Sequence, residues 1–213
     1  MGTAFYDRFL YPVLHLIGSA LYRVYFRGRA DSLAPIPRSG PVILVANHTS
    51  LLDGILIHIV SRRPLRIFIA EEWADWWPMQ PLFRTMGLIR VDRDRRNAGA
   101  LEAAVAALQR EDAVALFPEA GIQASGELGP FRHGAARLAL RTGAPVFPCA
   151  IIGSFEAMPW PTRVPRPRRI TVRCGHPLRF SPLPGGRLPA EALSSATERI
   201  RKAVQEMIAL GHR

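Results

Sequence analysis

An α/β single domain with a largely parallel central sheet flanked by helices is the fold class this sequence predicts, and three observations predict it. From residue 41 onward, short apolar runs alternate with helical patterns, the order that lays strands side by side with helices crossing between them. The 213 residues are 48% hydrophobic, enough to bury one core and free of any disordered or collagen-like bias. Polar residues also follow directly on several apolar runs, where open α/β sheets place their ligands.

Residues 1–30 form an amphipathic N-terminal helical segment ahead of the α/β domain of residues 31–213. Phe5, Phe9, Val13, Leu16, Ala20 and Val24 recur at helical spacing, while Arg8, His15, Ser19, Arg23 and Arg27 fall on another face. Such a helix suits a membrane interface or the protein's own core. It is no bilayer span, because Pro12, His15, Ser19 and Arg23 interrupt the roughly 20 apolar residues a span needs. A secretory signal fits poorly too, for lack of a clean apolar core before a cleavage site.

Within the domain, strands are read where apolar residues run together, at 41–46, 65–70, 88–91, 113–117, 145–152 and 169–174. Helices fit 52–60, 81–86, 98–110, 134–141 and 189–210, with Asn97 placed to cap the third and Gly143 to stop the fourth. Gly-Pro-rich stretches at 31–41, 158–167 and 181–189 read as surface loops. "EEWADWWP" (71–78) sets three tryptophans beside three acids; it suits a membrane interface, an apolar channel or ordinary core packing. Cys149 and Cys174 lie in separate apolar runs without metal-ligand spacing and read as reduced core thiols; no metal site is expected.

The net charge is +11, and Lys202 is the only lysine among 28 basic residues. Arginine as such is therefore weak evidence for phosphate recognition, but its distribution is informative. Arg163, Arg166, Arg168, Arg169, Arg173 and Arg179 follow one another with no acid between them. The stripe suits an anionic membrane, a nucleotide-containing co-substrate, an acidic carrier protein, nucleic acid or a solvated face. Nucleic acid is disfavoured because no recognised binding motif accompanies the charge.

Asn47–His48, Asp92–Arg93 and Glu119 stand just past apolar runs and are expected to converge on one rim. In "VANHTSLLDG" (45–54) His48 precedes Asp53 by five residues. On a continuous helix the two would point about 140° apart, so they meet only if His48 is in a loop and Asp53 in the first helical turn. A carboxylate on one imidazole nitrogen leaves the other to take a proton, the arrangement of a general base. Ser50 to Asp53 also matches a capping box, which gives Asp53 a purely structural task. The local pattern leaves both readings open. No Gly-x-Ser-x-Gly elbow supplies a nucleophile, so any hydroxyl to be activated belongs to a bound substrate.

"NHTSLLD", "GLIRVDR" (87–93), "FPEAG" (117–121) and "APVFPCAI" (144–151) together resemble, in order and spacing, the four motif blocks of the glycerolipid acyltransferases. These are the PlsC-like family typified by 1-acylglycerol-3-phosphate acyltransferase. The resemblance covers about residues 40–152. It implies a membrane-associated acyltransferase of phospholipid biosynthesis, moving a fatty acyl group from acyl-CoA or acyl-ACP to a lysophospholipid hydroxyl, with no further cofactor. By that resemblance His48 is the base and Asp53 its orienting carboxylate. Asn47, Arg93, Glu119 and Gly121 would contribute to substrate binding, Arg93 on the acceptor phosphate, and Pro148 would shape the site. An anionic membrane surface at the cytoplasmic face of the cell membrane is the expected location, with peripheral or monotopic attachment. The third block departs from the family's Phe-Pro-Glu-Gly-Thr-Arg-Ser. Ala120, Gly121, Ile122 and Gln123 follow Glu119, so Ile122 replaces the customary arginine, and Glu71–Glu72 stand where a basic residue is frequent. A non-phosphatidate acceptor, a lyso-aminolipid or glycolipid, is the alternative this suggests; a non-catalytic basic binding protein is the other.

Overall fold

The computed structural model describes residues 3–75, 78–92, 98–183 and 188–211. A helical segment opens the chain as α1 (Thr3–Phe5), a π-helical turn (Tyr6–Leu10) and α2 (Tyr11–Tyr25). The domain follows as β1 (Arg29–Ser32), β2 (Val42–Ala46), α3 (Asp53–Ser61), β3 (Leu65–Ala70), α4 (Glu71–Ala74), α5 (Gln80–Met86), β4 (Ile89–Val91) and α6 (Ala98–Gln109). It ends with β5 (Ala113–Leu116), α7 (Gly134–Thr142), β6 (Val146–Ile152), α8 (Ser154–Ala157), β7 (Thr171–Cys174) and α9 (Ala190–Gly211).

The seven strands form one sheet in the order β1-β7-β6-β2-β5-β3-β4. All pairings are parallel except β6 with β7. β2 lies at the centre and is buried throughout, and its alternate residues supply two cores, as a strand covered on both faces must. Val42, Leu44 and Ala46 meet Leu56 and Ile57 of α3 together with Tyr22 and Phe26. Ile43 and Val45 meet the faces of α6, α7 and α9. Gly143 ends α7 in the left-handed conformation, φ +68°, with its N–H on the carbonyl of Ala139.

Three short elements went unread in the sequence: β1, whose residues are all exposed, and the four-residue helices α4 and α8. The expected thiols are corrected as well. Antiparallel pairing sets Cys149 directly opposite Cys174, Cα atoms 4.1 Å apart, and the two form a disulfide. The expected Asn97 cap and two of the tryptophans, Trp76 and Trp77, lie outside the described residues. Trp73 packs edge-on against Trp160, ring centroids 5.9 Å apart.

The N-terminal segment divides its face differently from the expected pattern. Tyr6, Tyr11, Tyr22 and Phe26 turn inward. The Tyr22 hydroxyl accepts from the N–H of Val172 (3.2 Å) and donates to the carbonyl of Ile170 (3.0 Å), with that of Arg29 also in reach. The aliphatic stripe turns outward, with Leu16 72% and Val24 81% exposed. Among the described residues no helix is long and apolar enough to cross a membrane.

Candidate active site

At the carboxyl end of β2 the chain leaves the sheet because Asn47 closes the strand. Its side-chain amide donates to the carbonyl of Ile151 (2.9 Å) and accepts from the N–H of Ile151 (2.8 Å), replacing the next ladder bonds to β6. Asn47 is buried with both polar atoms engaged. Asn47, expected to bind substrate, ties the end of β2 to β6 in this structure.

Residues 47–52 then fold back so that Asp53, at the start of α3, faces the loop it follows. Asp53 Oδ2 accepts from the N–H groups of Thr49 (2.7 Å) and Ser50 (2.8 Å) and lies 3.1 Å from His48 Nδ1. Asp53 is fully buried and its other oxygen, Oδ1, has no hydrogen-bond partner in the protein. With Nδ1 against a carboxylate oxygen, the ring's proton is assigned to Nδ1, and Nε2 is left to accept. The imidazole lies on the ring of Phe117, centroids 4.3 Å apart at 22°, with 18% of its surface open. Only half of the expected capping box forms. Ser50 Oγ accepts from the N–H of Leu52 (3.2 Å) and donates to the carbonyl of Met158 (2.8 Å), while the N–H of Asp53 bonds the backbone carbonyl of Ser50. The carboxylate thus caps the turn and orients the histidine with one and the same oxygen.

The third block grips His48 from the other side. Glu119 Oε1 accepts from the N–H of His48 and Oε2 from the N–H of Gly129, both at 2.8 Å. The N–H of Gln123 donates to the carbonyl of His48, also at 2.8 Å. Glu119 is buried, and its carboxyl is raised above the ordinary range chiefly by that burial, against the two N–H groups that lower it. Glu119, expected to contact substrate, holds two backbone groups, and the loop gains an acceptor where it crosses over His48. Ala120, where the family has glycine, takes the left-handed conformation at φ +57°. Gly121 faces open space, and its carbonyl accepts from Gln123 Nε2.

Of the groups expected on one rim, His48 and Glu119 come together. Asp92 follows β4, the edge strand beyond β5 and β3, and Arg93 lies outside the described residues. Arg132 is exposed, and its N–H donates to the carbonyl of Pro118, tying it to the same rim loop. Pro148 is buried in β6 opposite Val45. Behind the histidine, Thr49 Oγ1 lies 3.2 Å from Ser154 Oγ. Phe117, Gln123, Gly129 and Ser154 went unrecognised as site residues. Phe117 and Gln123 stood in the third block, whereas nothing in the sequence marks Gly129 or Ser154.

The Acyltransferase family model matches residues 29–152, from the first residue of β1 to the last of β6. The chain belongs to that family. A chloroplastic 1-acyl-sn-glycerol-3-phosphate acyltransferase of Brassica napus is 26% identical over 168 residues, covering 72% of this chain and 46% of its own length. The 1-acyl-sn-glycerol-3-phosphate acyltransferase of Cocos nucifera is 29% identical over 141 residues, 64% of this chain and 46% of its own. The chain spans about half the length of the curated relatives it matches. The crystal structure of the 1-acyl-sn-glycerophosphate acyltransferase PlsC from Thermotoga maritima superposes with a TM-score of 0.71 at 22% identity, covering 92% of this chain and 78% of that one. That likeness shows the fold.

Proposed function

We propose that the protein transfers a fatty acyl group from acyl-CoA or acyl-ACP to the free hydroxyl of a lysophosphatidate-like lysophospholipid, at a membrane surface, in phospholipid biosynthesis. The observation that carries this reading is the His48–Asp53 pair, with Nε2 left as the accepting nitrogen in a chain of the Acyltransferase family. Nε2 takes the proton of the acceptor hydroxyl as its oxygen attacks the thioester carbonyl. The tetrahedral intermediate then expels the thiolate, which recovers the proton from the imidazolium. Asp53 holds the ring and stabilises its charged form between the two steps. Such assistance is worth typically about 10²–10⁴-fold.

Arg93 is the proposed phosphate contact of the acceptor, and the exposed Arg132, tied by its N–H to Pro118, is a further candidate cation. The outward aliphatic stripe of α2 suits a helix lying in the interface of the cytoplasmic leaflet, giving access to a lipid acceptor. Ile122 favours a second reading with the same chemistry but a lyso-aminolipid or glycolipid acceptor, because a charge-assisted bond worth about 1.5–3 kcal/mol is absent at that position.

The test is thiol release from acyl-CoA with and without lysolipids. Lysophosphatidate is expected to stimulate release, and folded His48→Ala to lose the stimulated part. Full acceptor-dependent turnover by His48→Ala would overturn the assignment, and preference for an uncharged acceptor would select the second reading.

A further inference from the structure

The loop between α8 and β7 leaves the sheet beside the candidate active site. Its feet are fixed there: Ile152, the last residue of β6, pairs with Thr171, the first of β7. Ser50 Oγ donates to the carbonyl of Met158 at the start of the loop. β1 enters the sheet at the same end, Arg29 beside Thr171, so the last turn of α2 arrives there too. The Tyr25 hydroxyl donates to the carbonyl of Pro165 (2.8 Å), and the N–H of Ile170 to the carbonyl of Phe26 (3.2 Å). The mouth of the site, the loop and the end of the apolar helix stripe therefore share one end of the molecule.

The loop is chemically two-sided. Arg163, Arg166, Arg168 and Arg169 are all exposed, and among the described residues none of them forms an ion pair. Arg173, by contrast, is held by Asp31 (2.7 Å) and by the carbonyl of Leu210 (2.8 Å). Val164, between Arg163 and Arg166, is 73% exposed, and Trp160, ahead of Arg163, is 38% exposed with its ring edge-on to Trp73. Pro159, Pro161, Pro165 and Pro167, with the bond from the N–H of Arg166 to the carbonyl of Ala157 (2.7 Å), limit the shapes the loop can take. Little ordering is then required when it meets a partner.

We infer that loop 159–169 is a contact for anionic phospholipid that, together with the stripe of α2, seats the mouth of the active site against the bilayer. Exposed arginines around an exposed valine, with a part-exposed tryptophan ahead of them, fit an interface that is charged at the headgroups and apolar just beneath them. An acidic carrier protein would be served by the charges but not by the exposed Val164 and the outward aliphatic stripe of α2 beside them. The inference rests on the membrane-surface reading above. Each arginine near an anionic leaflet is worth about fivefold in affinity, so the four together are worth up to roughly six hundredfold.

The test uses the full chain in co-sedimentation with phosphatidylcholine vesicles, with and without phosphatidylglycerol, at two salt concentrations. The variant Arg163→Gln/Arg166→Gln/Arg168→Gln/Arg169→Gln is compared with Leu16→Gln/Val24→Gln on the helix stripe, both checked for an unchanged melting temperature. The loop variant is expected to lose the gain that phosphatidylglycerol confers, and its salt dependence, while binding neutral vesicles and turning over a short-chain soluble acceptor as wild type does. The helix variant is expected to lose both kinds of binding. If wild type binds vesicles and the loop variant keeps the full anionic gain, the loop inference falls and the membrane-surface reading stands. If wild type binds neither vesicle, both fall. A raised KM for acyl-CoA, or lost binding to acyl carrier protein, with the anionic gain intact would assign the loop to the donor and overturn the inference.

Discussion

Two loops grip His48, one wired locally and the other at long range. In loop 47–53 a single carboxylate oxygen serves Ser50, Thr49 and His48, which precede Asp53 by three, four and five residues. In loop 117–129 Glu119 reaches His48 across 71 positions and Gly129 across ten. Both present an acid beside the histidine, yet only one touches the ring; the other holds the backbone. An acid in a motif is thus not evidence of contact with substrate until its partners are known, because a buried carboxylate takes whichever donors the fold brings to it.

The largest effect that separates the loops is expected from Asp53→Asn. The amide cannot stabilise the imidazolium, so kcat falls by about 10²–10⁴-fold, and a calorimetric melt shows a much smaller change. A rate loss that merely tracks a loss of fold would make Asp53 a cap like any other and erase the contrast.

The next effect tests the far end of the helix that Asp53 begins. His58 stands on α3 near Tyr11 (ring centroids 6.0 Å), with both ring nitrogens unpartnered. Burial first, and the neighbouring His15 second, push it down to about 4. An unfolded chain takes up this proton below about 6.5, the folded protein only near 4. The stabilisation is therefore fully present above 6.5 and is lost as the pH falls through that window, at about 1.4 kcal/mol per pH unit. Denaturant melts against pH should show the slope in wild type and a flatter line in His58→Phe. An equal slope in both would place the acid sensitivity elsewhere.

Glu119→Gln comes third. Glutamine has one carbonyl oxygen for two N–H groups and turns its own NH₂ toward the other, which costs about 1–3 kcal/mol. Stability should fall with a modest loss of kcat and a nearly unchanged KM for the acceptor. A raised acceptor KM at unchanged stability would return Glu119 to substrate binding and make the two loops alike. The smallest effect is a gain. Ala120→Gly relieves a left-handed alanine, a conformation that costs an L-residue about 1–2 kcal/mol, partly offset by the entropy glycine loses on folding. A net rise of about 1 kcal/mol with turnover unchanged is expected in a denaturant titration; a loss would mean that the alanine methyl packs usefully.

The central strands were legible in the sequence because each is a dense apolar run, and their observed ends fall within a residue or two of the expected ones. β1 was not legible: its four residues, Arg-Ala-Asp-Ser, are all exposed and held by backbone pairing to β7. The outward stripe of α2 was legible as a period, but not as outward. That was decided by tyrosines at 6, 11 and 22, which claim the contact with the core. At the site, His48 and Asp53 could be proposed from one decapeptide, since loop and helix geometry over five residues is nearly self-contained. The motif gave no sign of the backbone groups that Asn47 and Glu119 hold, because Ile151 and His48 lie on segments 104 and 71 positions away.

By itself, then, the sequence determined whatever depends on neighbours along the chain: the strand and helix periods, the glycine that stops α7, and the turn that brings a carboxylate back to a histidine. Tertiary structure alone decided the antiparallel run of β7, the bridge from Cys149 to Cys174, the clamp from Glu119 and the gathering of loop 159–169 with α2 at the mouth of the site. The physical reason is register. Which backbone groups meet across a sheet is fixed only when every strand has taken its place, and one residue of slip would give each of these side chains a different partner.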